Sequence, residues 1–129
     1  MPQPAVISIV DDDESVREAT KGLVRSLGYA VATFGSAEEF LNSERRYDTF
    51  CVIADVQMPG VSGVEMQRRL IDEGQRLPMI FVTAFPEDRI RERVMEAGAL
   101  GFLSKPFNEE HLIGCLDSAL KSRRAGHDE

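Results

Sequence analysis

VISIVDDDES, residues 6–15, is the stretch on which the reading of this chain turns. Its first five residues are apolar and rich in β-branched side chains, the composition of a buried strand. Four acids follow without a break: Asp11, Asp12, Asp13 and Glu14. Like charges this close repel one another, and burying any of them adds a desolvation cost. Asp13 and Glu14 have a local explanation, as solvated acids at the start of a helix whose dipole favours negative charge. Asp11 and Asp12 have none, so the end of this strand calls for a positive partner.

Working outward, Val16, Ala19, Thr20, Leu23, Val24 and Leu27 recur at helical spacing, and Gly28 stops the helix. YAVATF (29–34) reads as a second strand. Ser36, with Glu39 three residues on, has the form of a capping box opening a short helix to about Leu41. FCVIAD (50–55) is a third buried strand ending at Asp55. VQMPGVSG (56–63) is a loop punctuated by Pro59, Gly60 and Gly63, and the next helix faces inward with Met66, Leu70 and Ile71. PMIFVTA (78–84) is a fourth strand. Pro86 suits a first helical position, with Glu87 and Asp88 at the positive end of that helix, which ends near Gly98. LGFLS (100–104) is a fifth strand. Asn108 caps a last helix with Leu112, Leu116, Ala119 and Leu120 inward. The expected organisation is one domain over 1–124 and a polar, frayed tail, AGHDE (125–129), that could begin a linker.

Five alternations of strand and helix predict an α/β fold: a flavodoxin-like, doubly wound parallel sheet of order 2-1-3-4-5 with five helices. In that order the topological switch point lies between strands 1 and 3, and ligands bind at the carboxyl ends of strands there. Strand 1 ends at Asp11 and Asp12, and strand 3 at Asp55. The same edge receives Thr83 from strand 4 and Lys105 from strand 5.

Composition narrows the class. The chain has 129 residues, 43% hydrophobic and 29% charged, which fits one domain with a core of its own. A net charge of −7 argues against direct nucleic-acid binding. No apolar run is long enough to span a bilayer, and MPQPAV is too short and uncharged for a signal peptide. Cys51 and Cys115 read as buried free thiols of a reducing cytoplasm. His111 and His127 read as surface residues, and KSRR (121–124) as a solvated helix end.

Clustered carboxylates beside one lysine suit a hard divalent cation with oxygen ligands, magnesium or manganese, better than an anion alone. With such a cation bound, a phosphoryl group can approach. Asp55 could then act as a carboxylate nucleophile, with Lys105 and the Thr83 hydroxyl on the phosphoryl oxygens.

The segments IVDDDESVR, IADVQMPGVSG, FVTA and GFLSKPF, in this order and spacing, resemble the motifs of bacterial response-regulator receiver domains, most nearly the FixJ-like branch. The resemblance covers nearly the whole chain. It implies that Asp55 accepts a phosphoryl group from a phosphohistidine of a sensor histidine kinase. It implies that Asp12 binds the metal directly, that Asp11 does so mostly through water, and that the backbone carbonyl of Gln57 is a further ligand. It implies a switch pair of Thr83 and Phe102, a cis bond between Lys105 and Pro106, and dimerisation or partner binding through helix 4, strand 5 and helix 5. A DNA-binding output domain would lie outside this chain. The family is a signalling switch rather than a turnover enzyme, though it can catalyse its own phosphorylation and dephosphorylation. Phe102 has no hydroxyl, so its part in a switch rests on packing, and the bulk of Phe85, two residues after Thr83, bears on access to the phosphoryl group.

Three rival functions fit the sequence less well. A phosphohydrolase with a strand-end aspartate needs an acid two residues after the nucleophile, where this chain has Gln57. A flavin carrier of the same fold needs phosphate-binding hydroxyls and amides after strand 1, where this chain has acids. A receiver-like module acting by protein contacts alone would not need the full phosphorylation set present here.

Overall fold

The structure, a computed structural model, describes residues 5–127, with side chains through residue 121. Residues 1–4 of the MPQPAV segment lie outside it, as do residues 128–129 and the side chains of Arg123, Arg124 and His127. The elements run β1 (Val6–Val10), α1 (Glu14–Ser26), β2 (Ala30–Phe34), α2 (Ala37–Leu41), β3 (Thr49–Asp55), α3 (Gly63–Asp72), β4 (Met79–Thr83), α4 (Asp88–Glu96), β5 (Gly101–Ser104) and α5 (Glu109–His127). The sheet has the order β2-β1-β3-β4-β5 and every pairing is parallel, the flavodoxin-like arrangement expected from the alternation. Residues 125–127 of the expected tail lie on α5.

A parallel sheet covered on both faces needs two cores, and the strand side chains divide between them. Val10, Val52, Ala54 and Phe81 face α2, α3 and α4, where they pack with Phe40, Met66, Leu70 and Val94. Ile7, Ile9, Ile53, Ile80 and Val82 face the other way, toward Val24 of α1 and Leu112, Leu116 and Ala119 of α5. All seven residues of β3 are buried. A central strand walled in on both faces is a rigid mount for the carboxylate at its end.

Local chemistry sets the helix starts. Asp13 is the N-cap of α1, its side chain accepting from the Val16 amide at 3.1 Å. Ser36 and Ser62 cap α2 and α3 in the same way, accepting from the amides of Glu39 and Glu65. The box at α2 closes one residue earlier than expected, since Glu39 accepts from the Gly35 amide at 3.1 Å. Pro86 is not the first helical residue: α4 starts at Asp88 and Glu87 is its cap. The pyrrolidine ring therefore sits in the approach to the helix.

Some faces differ from the sequence pattern. Ala19 and Leu27 of the α1 stripe are exposed, leaving Thr20 and Val24 as the buried pair. Ile71, Leu120 and Cys115 are half-buried. Gln67 takes a buried place on α3 because its amide donates to the Val94 carbonyl of α4 at 3.1 Å. A 3-10 helix over Glu44–Tyr47 links α2 to β3. Its Arg46 is buried and donates to Gln75, Glu73 and the Leu41 carbonyl at 2.9, 2.7 and 2.9 Å. That network ties the 3-10 helix to the end of α3.

Candidate functional site

Four strand ends deliver the five predicted residues to one edge. Asp11 follows β1 and is buried; Asp12, next to it, is exposed. Asp55 closes β3 and Thr83 closes β4, and both are buried. Lys105 follows β5, its amide donating to the Thr83 carbonyl at 2.8 Å. One carboxylate oxygen from each of Asp11, Asp12 and Asp55 lies within 4.8 Å of the others. The Lys105 ammonium donates to Asp11 Oδ2 and Asp55 Oδ2, both at 3.0 Å.

Asp11, Asp55 and Thr83 are each held by a backbone amide. The Asp13 amide donates to Asp11 Oδ1 at 2.9 Å and the Gln57 amide to Asp55 Oδ1 at 3.1 Å. The Phe85 amide donates to the Thr83 hydroxyl at 3.1 Å. Every inner carboxylate oxygen thus has a donor, which is how a low-dielectric edge tolerates two aspartates side by side. Burial pushes the Asp55 carboxyl above the ordinary aspartate value. Lys105 and the Gln57 amide pull it down without cancelling the rise, and Asp11 adds to it. Burial works against the Lys105 charge, but the hydrogen bonds it donates to Asp11 and Asp55, with their negative charge, outweigh it, and its pKa is raised.

Three carboxylates against one ammonium leave two negative charges, which a divalent cation balances. All donors are hard oxygens, and one carboxylate is open to solvent, the set magnesium takes when it keeps several waters. The residues present therefore fit such an ion.

The remaining predicted residues divide. Gln57 lies in the loop after β3, exposed, with its amide on Asp55. Phe102 is half-buried on β5, packed against the core under α4 and paired in register with Phe81, two residues back from Thr83. The Lys105–Pro106 peptide is cis. Gly63 has a reason beyond punctuation: a Cβ there would run into the Asp55 carbonyl, so α3 can start this close to the end of β3 only with glycine. One contact was not legible in the sequence. Arg17 donates from α1 to the Asp11 carbonyl at 2.7 Å, and nothing in the helical stripe marks that arginine.

Comparison with known proteins shows the family. The model of the response regulator receiver domain matches residues 7–117. The chain belongs to that family. Among its relatives, the receiver domain is 44% identical over 119 residues to the response regulator protein TmoT of Ectopseudomonas mendocina, covering 92% of this chain and 54% of that one. It is 34% identical over 130 residues to the transcriptional regulatory protein FixJ of Azorhizobium caulinodans, covering 100% and 62%. Among solved structures it superposes on the response regulator StyR with a TM-score of 0.87, 38% identity, and 97% and 65% coverage. On FixJ-N the values are 0.80, 33%, 92% and 94%. The receiver domain thus spans about half the length of the curated relatives it matches. Among the described residues no helix is long and apolar enough to cross a membrane.

Proposed function

We propose that this receiver domain is a phosphorylation switch whose acceptor is Asp55 and whose donor is the phosphohistidine of a sensor histidine kinase. The observation that carries the reading is the Lys105 bridge: one ammonium touches both the strand-end acid of β3 and that of β1. In the forward step an Asp55 carboxylate oxygen bonds to phosphorus as the P–N bond breaks. The histidine nitrogen keeps the electron pair and takes up a proton. Lys105 moves its hydrogen bond from Asp55 to a phosphoryl oxygen, and the Thr83 hydroxyl donates to another. Asp12 directly, Asp11 mostly through water, Asp55 and the Gln57 carbonyl would hold a magnesium or manganese ion. When bound, that ion neutralises the charge that gathers on the phosphoryl oxygens.

Drawing Thr83 inward leaves space at the end of β4, and the half-buried Phe102 ring is the neighbour placed to repack. The α4–β5–α5 face then carries the signal, to a second copy or to a DNA-binding output domain outside this chain. The chain itself binds neither nucleic acid nor membrane, in keeping with its net charge of −7, and works in the cytoplasm. Self-catalysed phosphorylation from a small donor and self-catalysed hydrolysis belong to the same reading.

The test is intact mass after incubation with acetyl phosphate and magnesium. One phosphoryl group should appear on the wild type and none on Asp55→Asn. Equal labelling of both proteins would overturn the assignment.

A further inference from the structure

The loop between Asp55 and α3 is held from an unexpected side. Glu38, in the first turn of α2, accepts the Val61 amide on Oε2 at 3.4 Å, across 23 positions of sequence. The same oxygen lies against Gly60, where a Cβ would collide with it. Gly60 has φ +77°, a conformation that glycine adopts without strain. Among the described residues, the other oxygen of Glu38, Oε1, is the buried side-chain polar atom without a hydrogen-bond partner. A carboxylate oxygen left this way costs free energy. Helix capping does not account for it, because Ser36 and Glu39 already serve the start of α2.

We propose that Glu38 is a positioning residue for the loop that follows the phosphoacceptor. Its carboxylate straps the Gly60–Val61 turn to α2. That fixes the far end of a segment whose near end is pinned by the Gln57 amide on Asp55 and by the Gly63 amide on the Val56 carbonyl at 2.9 Å. With three anchors, the Gln57 main chain is ordered before any ion arrives. The consequence for metal binding rests on the function proposed above; the strap itself does not.

Two measurements separate these parts. Amide hydrogen exchange in EDTA reads the strap directly. Glu38→Ala should speed exchange at Val61 at least tenfold while the amides of β3 stay protected. Unchanged Val61 exchange would overturn the proposal. Magnesium affinity, read from amide chemical shifts, tests the consequence. Glu38→Ala should bind magnesium about tenfold more weakly, and Glu38→Gln, which keeps an acceptor for Val61, should recover most of that loss. Glu39→Gln removes the same charge one residue away and should bind like wild type. If Glu38→Gln and Glu39→Gln both weaken binding as much as Glu38→Ala, charge rather than position is the cause and the positioning role fails. If wild type itself binds no magnesium, the metal reading fails while the exchange result still decides the strap.

Discussion

Lys105 Nζ donates to Asp55 Oδ2 at 3.0 Å, joining residues 50 positions apart in the chain. The same ammonium reaches Asp11 Oδ2 at the same distance. Removing it leaves two buried carboxylates facing each other with no cation. Lys105→Met should therefore destabilise the protein in EDTA by about 1–3 kcal/mol, the cost of orphaning hydrogen-bonded buried groups. Urea unfolding measures it, and a variant as stable as wild type would show that the bridge contributes nothing to the fold.

The pKa shifts set the sign of the pH dependence in metal-free buffer. Asp55 holds its proton more tightly folded than unfolded, so its ionised form costs stability above its raised pKa. That cost vanishes as pH falls below the ordinary aspartate value. Asp55→Asn should be more stable than wild type at neutral pH, with the gap closing in acid. Lys105 is the opposite case. Its contribution is complete below the ordinary lysine value and is lost as pH rises through its raised pKa. Wild type should lose stability on that alkaline limb more steeply than Lys105→Met. Parallel curves would argue against the assigned shifts.

Asp12 is the solvent-facing acid of the trio. Asp12→Asn removes one repulsive charge at nearly constant shape, so its melting temperature in EDTA should rise. It should also lose most of the stabilisation by magnesium, which is about 2.7 kcal/mol for wild type at one hundred times the dissociation constant. Thermal melts with and without magnesium check both statements. A mutant that keeps the full magnesium shift would place the metal elsewhere.

Phe85 is 66% exposed, and only its amide touches the site, on the Thr83 hydroxyl. Phe85→Ala should leave stability within about 0.5 kcal/mol, as surface substitutions do. We nevertheless expect the bulky side chain two residues after Thr83 to slow attack by water on the phosphoryl group, so the variant should lose that group faster. The decay of phosphorylated protein after removal of the donor gives the answer, and an unchanged lifetime would assign the ring no shielding role.

Arg46 donates to Gln75, Glu73 and the Leu41 carbonyl from a buried position. Arg46→Ala should cost about 2–4 kcal/mol, because it orphans the Leu41 carbonyl and the Oε1 of Gln75. Phosphorylation of the folded fraction should be unaffected, since the network lies at the other end of β3 from Asp55. A urea midpoint equal to wild type would contradict this account.

Element type and order were legible because two local signals agreed at almost every step. Short β-branched runs marked β1, β3 and β4, and the Ser36–Glu39 pair and Asn108 marked the starts of α2 and α5; the caps that Asp13 and Ser62 supply to α1 and α3 came only with the structure. The site was legible for a related reason. In a doubly wound parallel sheet, every residue that ends a strand arrives at the same edge, so Asp11, Asp55, Thr83 and Lys105 could be grouped before any distance was known. Other features depend on separations that no local pattern encodes. Arg46 reads as a surface arginine until Gln75, 29 residues on, comes to meet it. Gln67 is buried only because a carbonyl of α4 stands opposite. Arg17 on the Asp11 carbonyl and Glu38 on the Val61 amide are side-chain to backbone contacts, and the backbone partner carries no residue identity to be recognised in a sequence. Hydrophobic period and cap chemistry act within a few residues and so are written along the chain. Pairing between distant polar groups is decided where packing leaves a donor and an acceptor facing each other away from water.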